Sequence, residues 1–358
     1  MKITVITVCF NSAETIEKAI QSVISQDYPD KEYIIVDGGS TDGTIDIIKK
    51  YEDFITKWVS ERDKGIFDAM NKGIGMAEGD VIAFLNSDDW YMASALSKVQ
   101  KLFEETKCDC VCCDNYVIKE DGKLVCYDVS DVPLDDMYKR MIYYHSAIFA
   151  KSKFFARENN FDLTYKIAAD YDWMLRTMKR GVEVSYLHVP IFTFCYGGIS
   201  SVNEIACARE AREIASRHLP KDREGYLEEI DKRYFRIVMQ GSGEEAIFRS
   251  FQSVIGNDYP VAIWGAGKRG KQCLDWLHKI GIKVMAVIDS NEDNWGAAIQ
   301  EVKIQPPQFL LGKPYNVIIT PAQYTMEIQK EIDSMQGTYF VHELKDLYKR
   351  IAENIEVL

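Results

Sequence analysis

Residues 3–9 (ITVITVC) and residues 32–44 (EYIIVDGGSTDGT) decide the fold. The first is a continuous apolar, β-rich run of the kind found in a strand buried on both faces. The second passes from a strand-like run, Glu32 to Val36, into a glycine-rich loop. Between them lies an amphipathic segment, roughly Glu14 to Gln26, that Asn11 and Ser12 are suited to cap. Tyr28-Pro29-Asp30 ends it. Working outward, the pattern predicts a helix to about Tyr51, a short strand over Thr56–Ser60, a helix over Ile66–Met76 and a strand over Val81–Leu85. Strands alternating with helices indicate an α/β domain with a mainly parallel sheet.

The rest of the chain is read against that domain. Candidate strands at Cys110–Ile118, Lys123–Tyr127 and Ser146–Ala150 precede a helix near Asp172–Lys179, then strand-like runs at Val184–Leu187 and Phe192–Tyr196. Residues 203–257 read as charged helix without obvious chemistry. At Val261 the strand-to-helix pattern restarts: a strand (VAIW), the glycine turn Gly265-Ala266-Gly267-Lys268-Arg269-Gly270, and a helix over Lys271–Ile280. The expected organisation is therefore an α/β domain over 1–215, a helical connector over 216–258 and a smaller Rossmann-like α/β domain over 259–358.

Composition narrows the function classes. The chain has 358 residues, 47% of them hydrophobic and 27% charged, which excludes a disordered chain. Lys and Arg number 43 against 55 Asp and Glu, a net charge of −12, which argues against a general nucleic-acid binder. No apolar run reaches the roughly 18 residues of a membrane-spanning helix, and the first residues lack signal-peptide anatomy. A cytoplasmic protein is expected, with peripheral attachment at the inner face of the membrane compatible with it. The odd count of nine cysteines argues against a disulfide scaffold. Cys108, Cys110 and Cys112 read as alternating onto one face of a buried strand, and no second C-x-x-C exists to complete a soft-metal site.

In open α/β sheets, ligands bind beyond the carboxyl ends of the strands. Asp37 ends the second strand, Asp42 lies in its loop, and Asn86-Ser87-Asp88-Asp89 ends the strand over Val81–Leu85. Asp42 and Asp89 are also suited to capping the helices that follow them. Together, acids at several strand ends of one sheet suit a site that grips a nucleoside diphosphate through a divalent cation.

At these residues the chain resembles the family-2 glycosyltransferases, which have the GT-A fold. The matching segments are VITVCFNSAETIEKAIQSVISQDYPDKEYIIVDGGSTDGT (5–44), DKGIFDAMNKGIGMAEGDVIAFLNSDDWY (63–91) and IAADYDWMLR (167–176), in the family's order. The resemblance implies that the backbone at Val8 and Phe10 and the side chain of Asp37 face the nucleoside base. It implies that Asp63, Lys64 and Gly65 approach the nucleotide, with Ser87 beside it. The family's D-x-D metal motif falls on Asn86-Ser87-Asp88, so Asp88, with Asp89, is the expected holder of Mn2+ or Mg2+. Asn86 departs from the pattern, as does Gly38, where many relatives carry a second acid. Asp170 matches the family's catalytic base, although Ala169 replaces the acid before it. Asp172, Trp173 and His145 are expected on the acceptor side, with capping and packing as their plainer readings.

The resemblance thus implies an inverting, metal-dependent transfer from a nucleotide sugar, with uracil as the expected base, to a glycan or lipid-linked glycan in cell-surface polysaccharide synthesis. Loose membrane association and a homo-oligomer are compatible with it. The competing reading is a binding or scaffold protein whose transferase site is degenerate. In the last hundred residues Gly265, Gly267 and Gly270, with Asp289 nineteen residues on, resemble a dinucleotide fingerprint. Gln272 rules out a P-loop, and the absence of any Tyr-x-x-x-Lys pair leaves no redox centre to go with it. The expected role is an accessory domain.

Overall fold

The computed structural model describes residues 1–128, 133–155, 160–198, 202–223 and 225–355. The chain forms two compact units, Met1–Ile230 and Asp231–Leu358. Their boundary falls inside the helix Tyr226–Gly241. The helix Glu204–His218 lies in the first unit and the helix Glu244–Ile255 in the second.

The first unit is built on β1 (Ile3–Cys9), β2 (Lys31–Asp37), β3 (Lys57–Ser60), β4 (Val81–Asn86), β5 (Trp90–Tyr91), β6 (Cys110–Cys113), β7 (Asn115–Ile118), β8 (Leu124–Tyr127), β9 (Ile148–Lys151), β10 (Val184–Leu187) and β11 (Phe192–Cys195). Seven of these form one sheet in the order β10-β6-β9-β4-β1-β2-β3, parallel except for β9, which runs antiparallel to β4 and β6. A smaller sheet has the order β5-β11-β7-β8.

Every residue of β1 is buried, as its unbroken apolar run requires. Ile6 and Val8 enter the core on one face of the sheet, and Ile3, Val5 and Cys9 enter it on the other. Each such side chain contributes about 1.5–3 kcal/mol by leaving water. Helix α1 (Ile16–Ile24) turns Ile16, Ala19, Ile20 and Val23 inward at helical spacing. Helices α2 (Thr44–Lys50), α3 (Ile66–Met76) and α4 (Ala95–Thr106) follow β2, β3 and β5. Gly73 lets α3 cross β1 closely: a Cβ there would lie 2.5 Å from Ile6 Cγ2. Helix α5 (Ala169–Lys179) carries the third matching segment. Registers Cys9↔Asp37 and Val8↔Asn86 bring the carboxyl ends of β1, β2 and β4 to one level, which is where the candidate site residues gather.

Two local expectations are corrected. Asn11, with φ +48°, does not cap α1; its Oδ1 accepts the Thr41 N–H at 3.0 Å, tying the β1 loop to the β2 loop. Cys108 precedes β6 and packs with Cys113, on the face opposite Cys110 and Cys112, because the strand begins only at Cys110.

The second unit has six strands: β12 (Val261–Trp264), β13 (Val284–Ile288), β14 (Ala298–Ile299), β15 (Val302–Gln305), β16 (Tyr315–Ile319) and β17 (Tyr339–Glu343). Their order is β14-β15-β13-β12-β16-β17, parallel except for the β14–β15 pair.

Candidate active site

The β2 loop is built around Asp37. Its side chain is buried, and its Oδ2 accepts from the Gly39 N–H (3.0 Å), the Ser40 N–H (2.9 Å) and the Ser60 hydroxyl (2.6 Å). Its Oδ1 accepts from the Ser40 hydroxyl at 2.5 Å. Burial pushes the Asp37 pKa up, but these donors outweigh it and hold the carboxyl below its usual range. The N-cap of α2 is Gly43, and Asp42 just before it accepts the Thr44 N–H (3.1 Å) and the Ala13 N–H (3.0 Å). Ser12 and Ser87 meet through their hydroxyls at 2.9 Å, joining the β1 loop to the end of β4.

Val8 is in the core, while the Phe10 ring just beyond β1 is 62% exposed. Asp63 accepts the Gly65 N–H at 2.9 Å, and Gly65 starts α3 with φ +119°. A Cβ on Gly38 would lie 2.5 Å from Asp63 Oδ2 and 3.4 Å from Phe10. Gly38 thus leaves the space that the Asp63 carboxylate occupies. Lys64 is exposed, its N–H bonded to Asp68 Oδ2 at 3.0 Å.

The end of β4 separates its acids. Asp89 is 1% exposed; its Oδ1 accepts the Cys195 N–H (3.0 Å) and its Oδ2 accepts from the Ser146 hydroxyl and the Asn86 amide, both at 3.3 Å. Burial, reinforced by Asp88, pushes its pKa up to about 8. That inward placement corrects the pairing of Asp89 with Asp88 as cation ligands. Asp88 is part-buried beside the backbone of Gly198, and burial raises its pKa as well. Asn86 is also occupied, since its Oδ1 faces His145 Nε2 at 3.0 Å. The residues therefore fit a hard divalent cation only as one carboxylate, Asp88, with diphosphate oxygens and water completing the shell, a pattern that Mg2+ sites commonly show. Among the described residues, the group whose ligand atoms could converge on a metal is Asp114, Asp128 and His188, which contains neither Asp88 nor Asp89.

Asp170 lies in the first turn of α5, its Oδ1 accepting the Tyr171 N–H at 2.9 Å and its Oδ2 lying 3.5 Å from His145 Nδ1. His145 thus touches both the end of β4 and the start of α5. The approach to α5 is held by Glu210, whose carboxylate accepts the N–H groups of Lys166 (2.7 Å), Ile167 (2.8 Å) and Ala168 (2.9 Å). Sequence reading gave Glu210 no role, because it sits some forty residues away in a helix without a motif.

The structure corrects Asp172 and Trp173 as acceptor-side residues. Asp172 is buried, bonded to His218 Nε2 and to Arg176 Nε, each at 2.7 Å. Burial raises its pKa, but those two partners outweigh it and hold the carboxyl below its usual range. Trp173 is 2% exposed, stacked on Phe155 at 4.5 Å between centroids, with its indole N–H donated to the Phe154 carbonyl. Helical spacing turns Asp172 away from the face that carries Asp170, whereas Trp173 is held in the core by its stack on Phe155.

In the second unit the glycine turn is closed upon itself. Gly265 has φ +113°, and a Cβ on Gly270 would lie 1.8 Å from the Gly265 carbonyl oxygen. Gly267 precedes the helix Lys268–Lys279. Asp289 accepts the Ala266 N–H (2.7 Å), the Asn291 N–H (2.9 Å) and the Asn294 amide (3.2 Å). Its carboxylate is engaged by the turn.

Known protein families resemble both parts of the chain. The profile of glycosyl transferase family 2 matches residues 4–179, and that of the C2185-like N-terminal domain matches residues 257–338. The chain is 30% identical over 206 residues to a PGL/p-HBAD biosynthesis glycosyltransferase of Mycobacterium bovis, covering 55% of this chain and 78% of that protein. It is 33% identical over 119 residues to the cholesterol galactosyltransferase of Borreliella burgdorferi, about a third of each chain. Among solved structures, S. aureus TarS 1-349 superposes with a TM-score of 0.53 at 17% identity, covering 78% of this chain and 80% of that one. Against the longer S. aureus TarS chain the match spans half of that chain's length. The mannosyltransferase PcManGT of Pyrobaculum calidifontis, solved with GDP-Man and Mn2+, gives 0.52 at 16% identity, covering 78% and 84%. At such identities the likeness to these structures is one of fold.

Proposed function

Since the chain belongs to glycosyl transferase family 2, we propose that it moves a sugar from a nucleoside diphosphate donor, UDP-linked, to a hydroxyl of a glycan or lipid-linked glycan, with inversion at the anomeric carbon. The observation that carries this reading is the single imidazole, His145, lying between Asn86 at the end of β4 and Asp170 at the start of α5. It brings the diphosphate side and the base side of the reaction to one place.

In this reading the Asp37 loop and the exposed Phe10 ring form the nucleoside side, with Asp63 and Gly65 at its edge. Asp37 shapes the loop, and the Ser12–Ser87 contact fixes the β1 loop against the end of β4. Asp88 holds the cation, Mn2+ or Mg2+, which when bound supplies positive charge for the departing diphosphate. Asp170 takes the proton of the acceptor hydroxyl as that oxygen bonds to the anomeric carbon. The bond from that carbon to the diphosphate oxygen breaks, and the diphosphate leaves with the electron pair. The second unit serves as an accessory domain, its glycine turn accounted for by its own packing. None of the helices in the described residues is long and apolar enough to cross a membrane.

The test is release of free nucleoside diphosphate from a panel of nucleotide sugars, with and without Mn2+, for the full chain and for Asp170→Asn. The variant should keep UDP binding while turnover falls by roughly 10²–10⁴. Release by Asp170→Asn at the normal rate would remove Asp170 from the base role. Absence of both release and binding with every donor would favour a scaffold protein instead.

A further inference from the structure

His145 opens a one-turn helix, His145–Ala147, directly before β9. Its two ring nitrogens face different partners, and the partners fix what each nitrogen does. Asn86 donates its amide N–H to Asp89 Oδ2 at 3.3 Å, which leaves its Oδ1 turned to His145 Nε2 at 3.0 Å. An amide oxygen only accepts, so Nε2 carries a hydrogen. Asp89 is anchored in turn by the Cys195 N–H at the end of β11 and by the Ser146 hydroxyl. The imidazole orientation is therefore set from a buried polar chain that runs back into the second sheet.

On the other side, His145 Nδ1 lies 3.5 Å from Asp170 Oδ2. A bare ring lone pair facing a bare carboxylate oxygen would be repulsive, so one proton belongs between them. With Oδ1 of the same carboxylate held by the Tyr171 N–H, both Asp170 oxygens are oriented by this chain.

Building on the transfer reading above, we propose that His145 is the positioning residue of Asp170. It shares one proton between Nδ1 and Oδ2, fixes the carboxylate toward the acceptor hydroxyl, and is itself fixed by Asn86 through Nε2–H. Asn86 then has a use that an aspartate would serve poorly: it presents an oxygen to the ring without adding a further negative charge beside Asp88, Asp89 and Asp170. The environment agrees. Burial disfavours the charged ring, but the carboxylates of Asp170, Asp89 and Asp88 outweigh it and raise the His145 pKa.

The first test needs no substrate. The full chain, with five histidines, is labelled with 15N at histidine and read by long-range 1H–15N spectra; His145→Gln identifies the signal. His145 should show a protonated Nε2 at every pH at which the chain is folded. Its titration midpoint should fall by about one pH unit or more in Asp170→Asn, the scale expected when a close opposite charge is removed. An unshifted midpoint, or a bare Nε2 in the neutral ring, overturns the proposal. The second test uses UDP release from UDP-glucose and UDP-GlcNAc. His145→Ala should lower kcat by roughly 10–100-fold while KM for the donor changes less than about threefold. His145→Gln, whose amide can still donate, should recover part of the loss. A rise in KM with kcat kept would make His145 a donor-binding residue and refute the assignment. If the wild type releases no UDP from either donor, the transfer reading is what suffers, and the spectra decide the role of His145.

Discussion

Replacing Gly38 by alanine tests the nucleoside side of the site at a single atom. The added Cβ would lie 2.5 Å from Asp63 Oδ2 and 3.2 Å from Asp63 Cγ, well inside the distances that real Cβ atoms keep. Asp63 must swing away, and in doing so it gives up the 2.9 Å bond from the Gly65 N–H that fixes the entry to α3. A hydrogen bond to a charged group contributes about 1.5–3 kcal/mol. At about 1.4 kcal/mol per decade, UDP affinity should fall by roughly 10–100-fold. The bond is made within the chain, so its loss should also lower the melting temperature, by roughly 3–10 °C. Calorimetry with UDP and Mn2+ on the wild type, Gly38→Ala, Asp63→Ala and the double variant reads the effect. The double variant should bind no more weakly than Asp63→Ala, because the displaced group is already gone. Wild-type affinity in Gly38→Ala, or penalties that add in the double variant, would refute the reasoning.

Two further outcomes follow from the carboxylates. In the same calorimetric assay, Asp88→Ala should abolish the Mn2+-dependent gain in UDP binding, whereas Asp89→Ala should act mainly by lowering the melting temperature, since its acceptors serve the Cys195 N–H and the Ser146 hydroxyl. Equal loss of the Mn2+ effect in both would mean that the two acids share the ion. Asp172→Asn removes the partner of Arg176 and His218 and should cost about 2–3 kcal/mol at neutral pH, the lower side of a broken buried pair because Arg176 is partly exposed. The Asp172 carboxyl is held below its usual pKa, so its stabilisation is present above about pH 4 and disappears as pH falls through the depressed value. Melting temperatures of wild type and variant should therefore converge in acid, and a constant gap down to pH 2 would contradict the assignment.

The strands and helices that build the site were legible because each carries its own period. β1 is an apolar run, α1 turns one face inward, and the glycine-rich loop after β2 admits few backbone paths. The acids at the strand ends were legible as a group. What the sequence could not separate is neighbours with the same chemistry: Asp88 and Asp89 are adjacent, and Asp89 is drawn inward by the Cys195 backbone, over a hundred residues away, and by the Ser146 hydroxyl. Likewise Asp170 and Asp172 differ by two residues, yet the helix sends one to His145 and the other to Arg176 and His218. Trp173 has the surface chemistry of a sugar platform, but Phe155 claims its face. Glu210 and the tie between His145 and Asn86 depend on contacts across long stretches of chain, which no local pattern encodes.

The loops at the ends of β1 and β2 have no regular secondary structure, yet their amides are spoken for. The N–H groups of Gly39 and Ser40 go to Asp37, that of Thr41 to Asn11 and that of Ala13 to Asp42. Irregular surface backbone ordinarily exchanges its amide hydrogens quickly, because little must open for water to reach them. Here deuterium should enter these four positions at rates closer to those of the neighbouring strands. The ordering cost of the loop is met when the chain folds, so an incoming nucleotide meets a surface already set. Stopped-flow mixing should accordingly give one concentration-dependent phase, without a slow rearrangement behind it.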